Sequence, residues 1–263
     1  MPTNSTAKEQ VQLASTIGPI DAGIVPALEK AFEEKTGIRV RHVGAGTGAA
    51  LELARSGTFD VVLAHSRALE EQFVAEGYGT ERIDLMYNDF VIVGPESDPA
   101  QIKGLKAAEA LKKIIDTESL FISRGDNSGT HVSEKAQWQA AGLQPSGKWY
   151  RIYEKGREGS VPTLKYADEQ NAYTFIDRAT YLVLKDQIKL QVLVEKDESL
   201  LNYMTLIPVN PQKFPGINEK GARQFIDFCT SVEGQTLIRD FGKDKYGEPL
   251  FFPNSAEGKK LSG

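Results

Sequence analysis

The nine residues SRGDNSGTH, at positions 123–131, combine an arginine, an aspartate, hydroxyl residues, glycines and a histidine. Three chemistries fit: cell adhesion through RGD, hydrolysis through a serine with histidine and aspartate, and binding of a small anion. Adhesion needs an exposed flexible loop, whereas this stretch lies between a predicted strand at 120–124 and a predicted helix at 128–142. The segment lacks a nucleophile elbow, and neighbours in sequence rarely form a catalytic triad. Anion binding is the interpretation that remains.

Arg124 is the charged residue on which this interpretation depends. It follows a strand and precedes a helix, and a guanidinium group can donate two hydrogen bonds to one oxyanion. A surface ion pair with Asp126 is the alternative role for this arginine, and its own position does not decide between the two.

Three polar, glycine-containing loops occur where a predicted strand meets a predicted helix: residues 14–23, 44–49 and 123–131. In open α/β sheets, ligands bind beyond the carboxyl ends of the strands. Helix N termini there present free N–H groups and a positive dipole end, and hydroxyl side chains add uncharged donors. Serine and threonine are also ordinary N-cap residues, so the three loops together with one arginine favour an anion site more strongly than any single loop.

Two other ligand classes are less well supported. The loop GAGTGA, at 44–49, nearly matches the dinucleotide fingerprint, but the next strand carries Asp60 at its beginning and no acidic residue at its end. His65 and His131 fall near the proposed loops, yet no H-x₃-H or carboxylate spacing accompanies them. We therefore expect no nucleotide site and no metal site, with both histidines supporting ligand-facing groups. Cys229 lies in an amphipathic run and is expected in the core.

Composition narrows the class of protein. The chain has 263 residues, 40% of them hydrophobic and 25% charged, with a net charge of −5. This is ordinary globular composition, and the lack of a long basic run argues against nucleic acid or acidic membranes as partners. No stretch is apolar over the length of a membrane span, and the polar start lacks the apolar region of a signal peptide. The sequence thus predicts either an intracellular protein or an exported one whose signal was removed.

Strands and helices alternate along the chain, which is typical of an α/β sheet with right-handed crossovers. Strands are predicted at 11–17, 38–44, 59–65, 85–95, 120–124 and 202–211. A polar segment with two prolines, at 95–104, marks a boundary. The pattern predicts two α/β lobes: lobe I from residues 1–94 and 205–263, and lobe II from residues 95–204. Two crossovers make hinge closure around a ligand the expected motion, and one continuous α/β domain is the alternative. Tyr87, Asn88 and Asp89 are expected to orient the hinge strand by hydrogen bonds.

At this level of detail the chain resembles the tungstate-binding (TupA-type) solute receptors of ABC importers. The matching segments, in family order over nearly the whole chain, include GTGAALELARSGTFDVVLAHS, MYNDFVIVGPESDPA, SRGDNSGTH, AYTFIDRATYL and LLNYMTLIPVNP. The resemblance implies a type II periplasmic-binding-protein fold, with two α/β lobes joined by a two-stranded hinge and the ligand cleft between them. It implies a receptor, not an enzyme, that binds tungstate or molybdate and hands it to a membrane ABC permease. No cofactor is expected, a monomer is the default, and the location would be periplasmic or extracellular after signal removal, or alternatively cytoplasmic.

The resemblance also implies that Arg124, Ser128 and Thr130 face the ligand from lobe II, and that the GTG loop faces it from lobe I. With the donors of the neighbouring loops, the predicted ligand-binding set is Ser15, Thr16, Gly46, Thr47, Gly48, Arg124, Ser128, Gly129, Thr130 and Ser160. Residues predicted to support this set are His65, Asp126 and His131.

Two loops depart from the family pattern. The family's first loop has the form T-T-S-T-x-D-S-G, whereas this chain has STIGPIDAG, with Ile17, Gly18 and Pro19 in place of hydroxyl residues. The second, typically G-x-G-M-G, reads GREGSVP here and adds Arg157 and Glu158. Each lost hydrogen bond to a charged group costs about 1.5–3 kcal/mol, so these departures predict reduced tungstate affinity or a changed ligand.

Phosphate is the main rival ligand, because phosphate receptors also carry loops of the form R-x-D-x-S-G-T. Phosphate keeps a proton near neutral pH and favours an acceptor such as Asp126, whereas a carboxylate facing tungstate would repel it. We therefore expect Asp126 to turn away, capping its own loop or pairing with a basic residue. A sensor or an enzyme on the same fold is the alternative from a different class, although the loops offer donors rather than acid–base pairs.

Overall fold

The structure, a computed structural model, describes residues 10–261 of the chain. The polar start, through residue 9, and the last two residues lie outside the described part. The strands in chain order are β1 (Gln10–Thr16), β2 (Arg39–Ala45), β3 (Val61–Ala64), β4 (Ile83–Gly94), β5 (Phe121–Ser123), β6 (Tyr150–Ile152), β7 (Tyr173–Asp177), β8 (Gln191–Val194), β9 (Leu201–Pro208) and β10 (Phe252–Pro253).

Most helices fill the connections between these strands. They are α1 (Ile17–Asp21), α2 (Ile24–Thr36), α3 (Thr47–Ala54), α4 (Arg67–Ala75), α5 (Ala107–Asp116), α6 (Gly129–Ala140), α7 (Ser160–Glu169), α8 (Arg178–Leu184), α9 (Glu219–Thr230), α10 (Val232–Asp240), α11 (Lys243–Tyr246) and α12 (Ala256–Leu261). Short 3-10 turns occur at Gly156–Glu158 and Glu198–Leu200. Within residues 10–261, none of these helices is both long enough and apolar enough to cross a membrane.

The described residues form two compact units, the first of residues 10–87 and 203–261 and the second of residues 88–202. In unit 1, β2, β1 and β3 lie side by side in parallel, and β9 pairs with β3 in the antiparallel direction. All four residues of β3 are buried, which explains why its sequence, VVLA, is continuously apolar. Because β1 and β2 are parallel, the loops that follow them emerge at the same edge of the sheet.

Unit 2 contains a mixed sheet. Strand β5 runs parallel to both β6 and β7, while β4 pairs antiparallel with β7 and β8. Two apolar clusters form its core, and successive residues of β5 belong to different clusters: Phe121 to one and Ile122 to the other. This alternation reflects the opposite directions of neighbouring side chains on a strand. The loop 124–128 continues directly from the carboxyl end of β5.

Polar contacts orient β4 as the sequence predicts. The Asn202 amide donates to the Asn88 side-chain oxygen at 2.9 Å, and Arg178 donates to both carboxylate oxygens of Asp89. Tyr87 stacks on Phe252, with ring centroids 5.0 Å apart. The expected core position of Cys229 is also confirmed, since the residue is fully buried.

Candidate functional site

Two buried hydroxyl groups without a hydrogen-bond partner lie where β1 and β2 end. Among buried side-chain oxygens and nitrogens in residues 10–261, Thr16 Oγ1 and Thr47 Oγ1 are the ones with no hydrogen-bond partner. The register of the parallel pair places Thr16 beside Ala45, two residues before Thr47. Buried hydroxyls are normally satisfied, so two unpartnered ones at adjacent strand ends are donors available to a ligand acceptor.

The other predicted residues of unit 1 lie along the same edge. Ser15 is fully buried and donates to the Thr16 carbonyl oxygen at 3.1 Å, so its hydroxyl is already used. Gly46 is the N-cap of α3 and is exposed like Gly48. No side chain caps α3, so no side-chain acceptor occupies the backbone N–H groups of its first turn. His65 follows β3 and is half-buried.

The first departure from the family pattern is visible at this edge. Thr16 is the N-cap of α1 by position, yet its side chain makes no capping hydrogen bond. Ile17, which replaces a hydroxyl residue of the family, is 48% exposed, whereas Pro19 is buried in α1. Among the side chains of the STIGP segment, the hydroxyl that remains able to donate is that of Thr16.

In unit 2, the loop after β5 is held by its own polar groups. Gly125 and Asn127 both adopt left-handed backbone conformations, with φ of 69° and 60°, a region open to glycine and tolerated by asparagine. The Asn127 N–H donates to His131 Nδ1 at 2.9 Å. Ser128 is the N-cap of α6, and its hydroxyl oxygen accepts the His131 N–H at 3.4 Å. The loop is thereby fixed onto the first turn of α6.

This arrangement leaves donors at the start of α6. The N–H groups of Ser128 and His131 are used by the loop itself, whereas those of Gly129 and Thr130 have no partner within the described chain. Thr130 is also buried, at 8% exposure. Two free N–H groups at the positive end of a twelve-residue helix form a favourable environment for an anion.

The Arg124 guanidinium lies beside this helix start and contacts three groups. Its Nε donates to the Gly156 carbonyl oxygen at 3.1 Å and its Nη1 donates to Ser160 Oγ at 2.9 Å. Its Nη2 lies 3.0 Å from Asp126 Oδ2. The side chain is 15% exposed, so Arg124 is neither a mobile surface residue nor fully enclosed.

Asp126 behaves as predicted from the sequence. One carboxylate oxygen accepts the Ser128 N–H at 3.0 Å and the other pairs with Arg124. The carboxylate therefore caps its own loop and also pairs with a basic residue, which were the two outcomes expected. Both of its oxygens are engaged within the loop.

His131 supports the loop in its neutral form. Because Nδ1 accepts the Asn127 N–H, that nitrogen carries no proton. Burial lowers the pKa of His131 below its ordinary value, and the charges of Lys135 and Arg124 act in the same direction. The imidazole is thus an acceptor that holds Asn127. Its predicted role of supporting ligand-facing residues stays a prediction.

A buried carboxyl group, Glu134, lies behind this loop and was not foreseen from the sequence. It is 1% exposed, and it accepts hydrogen bonds from Ser123 Oγ at 2.8 Å, the Tyr150 hydroxyl at 2.8 Å and Trp138 Nε1 at 3.2 Å. No cation forms an ion pair with it in the described part of the chain. Burial raises the pKa of Glu134 to about 7.

We expect Glu134→Gln to flatten the pH dependence of stability. Glu134 has a pKa of about 7 in the folded state and an ordinary value of 4.5 when unfolded, so between these values the folded state holds the proton more tightly. Its contribution is complete below pH 4.5 and is lost as pH rises through 7, on the order of 3 kcal/mol in all. Glutamine is neutral throughout, so the variant should not show this loss. Urea unfolding at about pH 5 and about pH 8 measures it.

The matched control for that experiment is Glu109→Gln, an exposed position on α5. It should retain the wild-type change of unfolding free energy with pH. An identical pH slope for wild type and Glu134→Gln would show that the Glu134 carboxyl is ionised in the folded protein over the whole range.

Each unit therefore gathers uncharged donors at strand ends, and unit 2 adds one arginine. Ser160 begins α7, and its hydroxyl oxygen is occupied by Arg124 rather than free of contacts. Arg157 and Glu158, the second departure from the family pattern, are exposed. Within residues 10–261, no group of three or more histidine, cysteine or acidic residues is arranged to hold a metal ion. The chemistry of both sets suits an oxyanion.

These features define a solute-binding protein, and residues 2–233 match the family described as a PBP superfamily domain. A tungstate-binding protein TupA from Peptoclostridium acidaminophilum is 46% identical over 254 residues, covering 95% of this chain and 88% of that protein. The chain therefore belongs to the TupA family of solute-binding proteins.

Two further relatives agree with this assignment. A putative ABC transporter anion-binding protein from Haloferax volcanii is 44% identical, covering 94% of this chain and 72% of that protein. The solved structure of the tungstate-binding protein TupA from Desulfovibrio alaskensis has a TM-score of 0.86 at 37% identity, covering 94% of this chain and 99% of that one. The type II periplasmic-binding fold predicted from the sequence is confirmed by these matches and by the α/β character of both units.

Proposed function

We propose that this chain is a non-catalytic receptor for tungstate, which it delivers to a membrane ABC permease. The observation that carries the proposal is the Arg124 guanidinium, held beside the two free N–H groups at the start of α6. A full positive charge next to a helix N terminus favours an anion, and the neighbouring hydroxyl groups add donors without adding a competing base. The relatives named above supply the identity of the anion.

The donors of unit 1 are likewise proposed to bind an oxyanion. Thr16 and Thr47 have buried hydroxyls without acceptors, and the first turn of α3 lacks a capping side chain. A tetrahedral oxyanion presents four oxygen atoms, each able to accept several hydrogen bonds. The proposed ligand set contains Thr16, Gly46, Thr47 and Gly48 in unit 1. In unit 2 it contains Arg124, Ser128, Gly129 and Thr130. Ser15 is proposed to support the site rather than to bind the anion directly, since its hydroxyl donates to the Thr16 carbonyl oxygen.

The contacts of Asp126 favour a fully deprotonated anion, rather than phosphate, as the ligand. A phosphate receptor gains from an acceptor that takes the phosphate proton, yet both oxygens of Asp126 are engaged by Ser128 and Arg124. Tungstate and molybdate need no such acceptor. The proposal therefore covers molybdate as a second ligand and ranks phosphate below both.

Partners and location follow from the same class. A receptor that delivers an anion to a permease in the membrane works as a periplasmic or extracellular protein, and we propose this location with a monomeric state. The relatives include a tungstate-binding protein and a putative ABC transporter anion-binding protein, and this similarity supports the permease as partner.

Titration calorimetry with tungstate, molybdate, sulfate and phosphate tests the proposal. Tungstate should give the tightest binding, with molybdate next and with sulfate and phosphate much weaker. Thermal unfolding supplies an independent check, because a ligand at a hundred times its Kd stabilises the folded state by about 2.7 kcal/mol. Tight phosphate binding without a tungstate signal would make this chain a phosphate receptor. If none of the four anions gave a binding signal, the proposed receptor function would be refuted.

A further inference from the structure

The segment from Gly156 to Ser160 contacts Arg124 at both ends of its guanidinium group. The Gly156 carbonyl oxygen accepts from Nε at 3.1 Å, and Ser160 Oγ accepts from Nη1 at 2.9 Å. These two acceptors lie 32 and 36 positions away from Arg124 in sequence. The direction of the arginine side chain is therefore set by a different loop from the one that carries it.

Gly156 also lies unusually close to the main chain of Arg124. A Cβ atom built on Gly156 would fall 1.8 Å from the Arg124 carbonyl oxygen and 2.9 Å from its carbonyl carbon. Both atoms belong to the backbone, so no side-chain rotation could relieve such a clash. The approach is possible because glycine has no Cβ.

The backbone around Gly156 has little freedom to retreat. The Gly156 N–H donates to the Tyr153 carbonyl oxygen at 3.0 Å, and the Tyr153 N–H donates to the Ser123 carbonyl oxygen at 2.9 Å. The Gly159 N–H in turn donates to the Gly156 carbonyl oxygen at 3.1 Å. Gly156 is buried, and a chain of hydrogen bonds ties it to the residue that precedes Arg124.

The contacts determine which arginine donors stay available. A guanidinium group has five N–H donors. Nε and Nη1 each donate one hydrogen bond, to Gly156 and Ser160, while Nη2 forms an ion pair with Asp126, so both terminal nitrogens keep N–H groups for a further acceptor. A guanidinium group with N–H groups left on both terminal nitrogens can donate to two oxygens of one tetrahedral oxyanion. A side chain already fixed in this orientation also loses less conformational entropy when the anion binds.

We propose that Gly156 and Ser160 are positioning residues that clamp Arg124 and direct its remaining N–H groups at the tetrahedral oxyanion. The inference rests on the proposed function, and it assigns to Ser160 an action through Arg124 rather than direct ligation. It also explains why a glycine, and no larger residue, occupies position 156.

The primary test is Gly156→Ala, measured by titration calorimetry with tungstate. The added methyl group must displace the Arg124 carbonyl, and we expect binding to weaken by about 10- to 100-fold, as for a lost hydrogen bond to a charged group. Gly216→Ala is the matched control, since a Cβ at Gly216 would have nothing within 4 Å. That control should bind as the wild type does.

A double-mutant cycle separates positioning from general damage. If Gly156 acts through Arg124, then Gly156→Ala in an Arg124→Ala background should weaken binding by much less than in the wild type. Residues in contact show couplings equivalent to factors of about 2 to 150. If the fold loss in the double mutant equals the product of the fold losses in Gly156→Ala and Arg124→Ala, the proposal is overturned, because a residue that acts independently of Arg124 gives that result.

Ser160→Ala covers the case in which Gly156→Ala does not fold, as judged by thermal unfolding without ligand. It removes the Nη1 acceptor without adding atoms, and it should weaken tungstate binding. The fold loss of affinity should again be much smaller in the Arg124→Ala background than in the wild type. Unchanged affinity in Ser160→Ala, or a multiplicative loss, would overturn the clamp. A wild-type protein that binds none of the anions would instead refute the proposed function, so the two failures are distinguishable.

Discussion

Arg124→Ala is expected to weaken tungstate binding by at least about 100-fold, because it removes the full positive charge that lies beside the α6 start. Each hydrogen bond between charged groups contributes about 1.5–3 kcal/mol, and the clamped guanidinium offers two. The change also leaves Asp126, whose side chain is 7% exposed, without its cation next to the bound anion. Titration calorimetry with tungstate measures the loss directly.

Two variants control that experiment. Arg151→Ala removes the same charge from an exposed position on β6, so it should change affinity by less than about 3-fold if only the local charge matters. Adding Asp126→Asn to Arg124→Ala removes the uncompensated carboxylate and should recover part of the lost affinity. An Arg124→Ala protein that binds tungstate as tightly as wild type would refute the site assignment.

The sequence predicts the strands and long helices well because burial leaves a clear pattern in them. The apolar run of β3 and the helical spacing of Leu28 and Phe32 in α2 both reflect side chains that are buried in the structure. The short elements leave no such pattern. α1, α11 and β10 contain five, four and two residues, which is too few for a period to appear.

The site was predictable as a set of loops but not as a set of contacts. Strand-to-helix loops with glycines and hydroxyl residues identify the candidate anion-binding edges, since parallel strands end together. The clamp on Arg124 and the Glu134 network instead join residues that are far apart in sequence or on opposite elements. A glycine followed by a serine four positions later gives no sign that an arginine will contact both.

Side-chain roles within a loop were also undetermined by sequence alone. Ser128 and Thr16 both follow a strand and precede a helix, so each could be an N-cap or a ligand. In the structure the Ser128 hydroxyl caps α6, whereas the Thr16 hydroxyl makes no cap and has no partner. The difference depends on side-chain orientation and burial, which the residue type does not encode.

Thr16→Val and Thr47→Val are therefore expected to change stability and affinity in opposite directions. Valine has nearly the same shape and lacks the hydroxyl, so each change removes a buried polar group that has no partner in the ligand-free protein. The free energy of unfolding without ligand should rise, by up to about 1–3 kcal/mol, because the desolvation cost disappears. Tungstate affinity should fall by about 10- to 100-fold, because a donor to a charged ligand is lost. Urea unfolding and titration calorimetry measure the two effects.

Thr174→Val is the matched control, a buried threonine whose hydroxyl already donates to the Ile122 carbonyl oxygen at 2.8 Å. The same substitution there removes a made hydrogen bond, so stability should fall by about 1 kcal/mol while tungstate affinity stays within about 3-fold of wild type. If Thr16→Val and Thr47→Val lost stability like this control, their hydroxyls would have partners in the ligand-free protein. If stability rose without any loss of affinity, the hydroxyls would be unsatisfied for a reason other than anion binding. A ligand-binding role requires that stability rise and tungstate affinity fall in both Thr16→Val and Thr47→Val. It also requires that Thr174→Val bind tungstate as the wild type does.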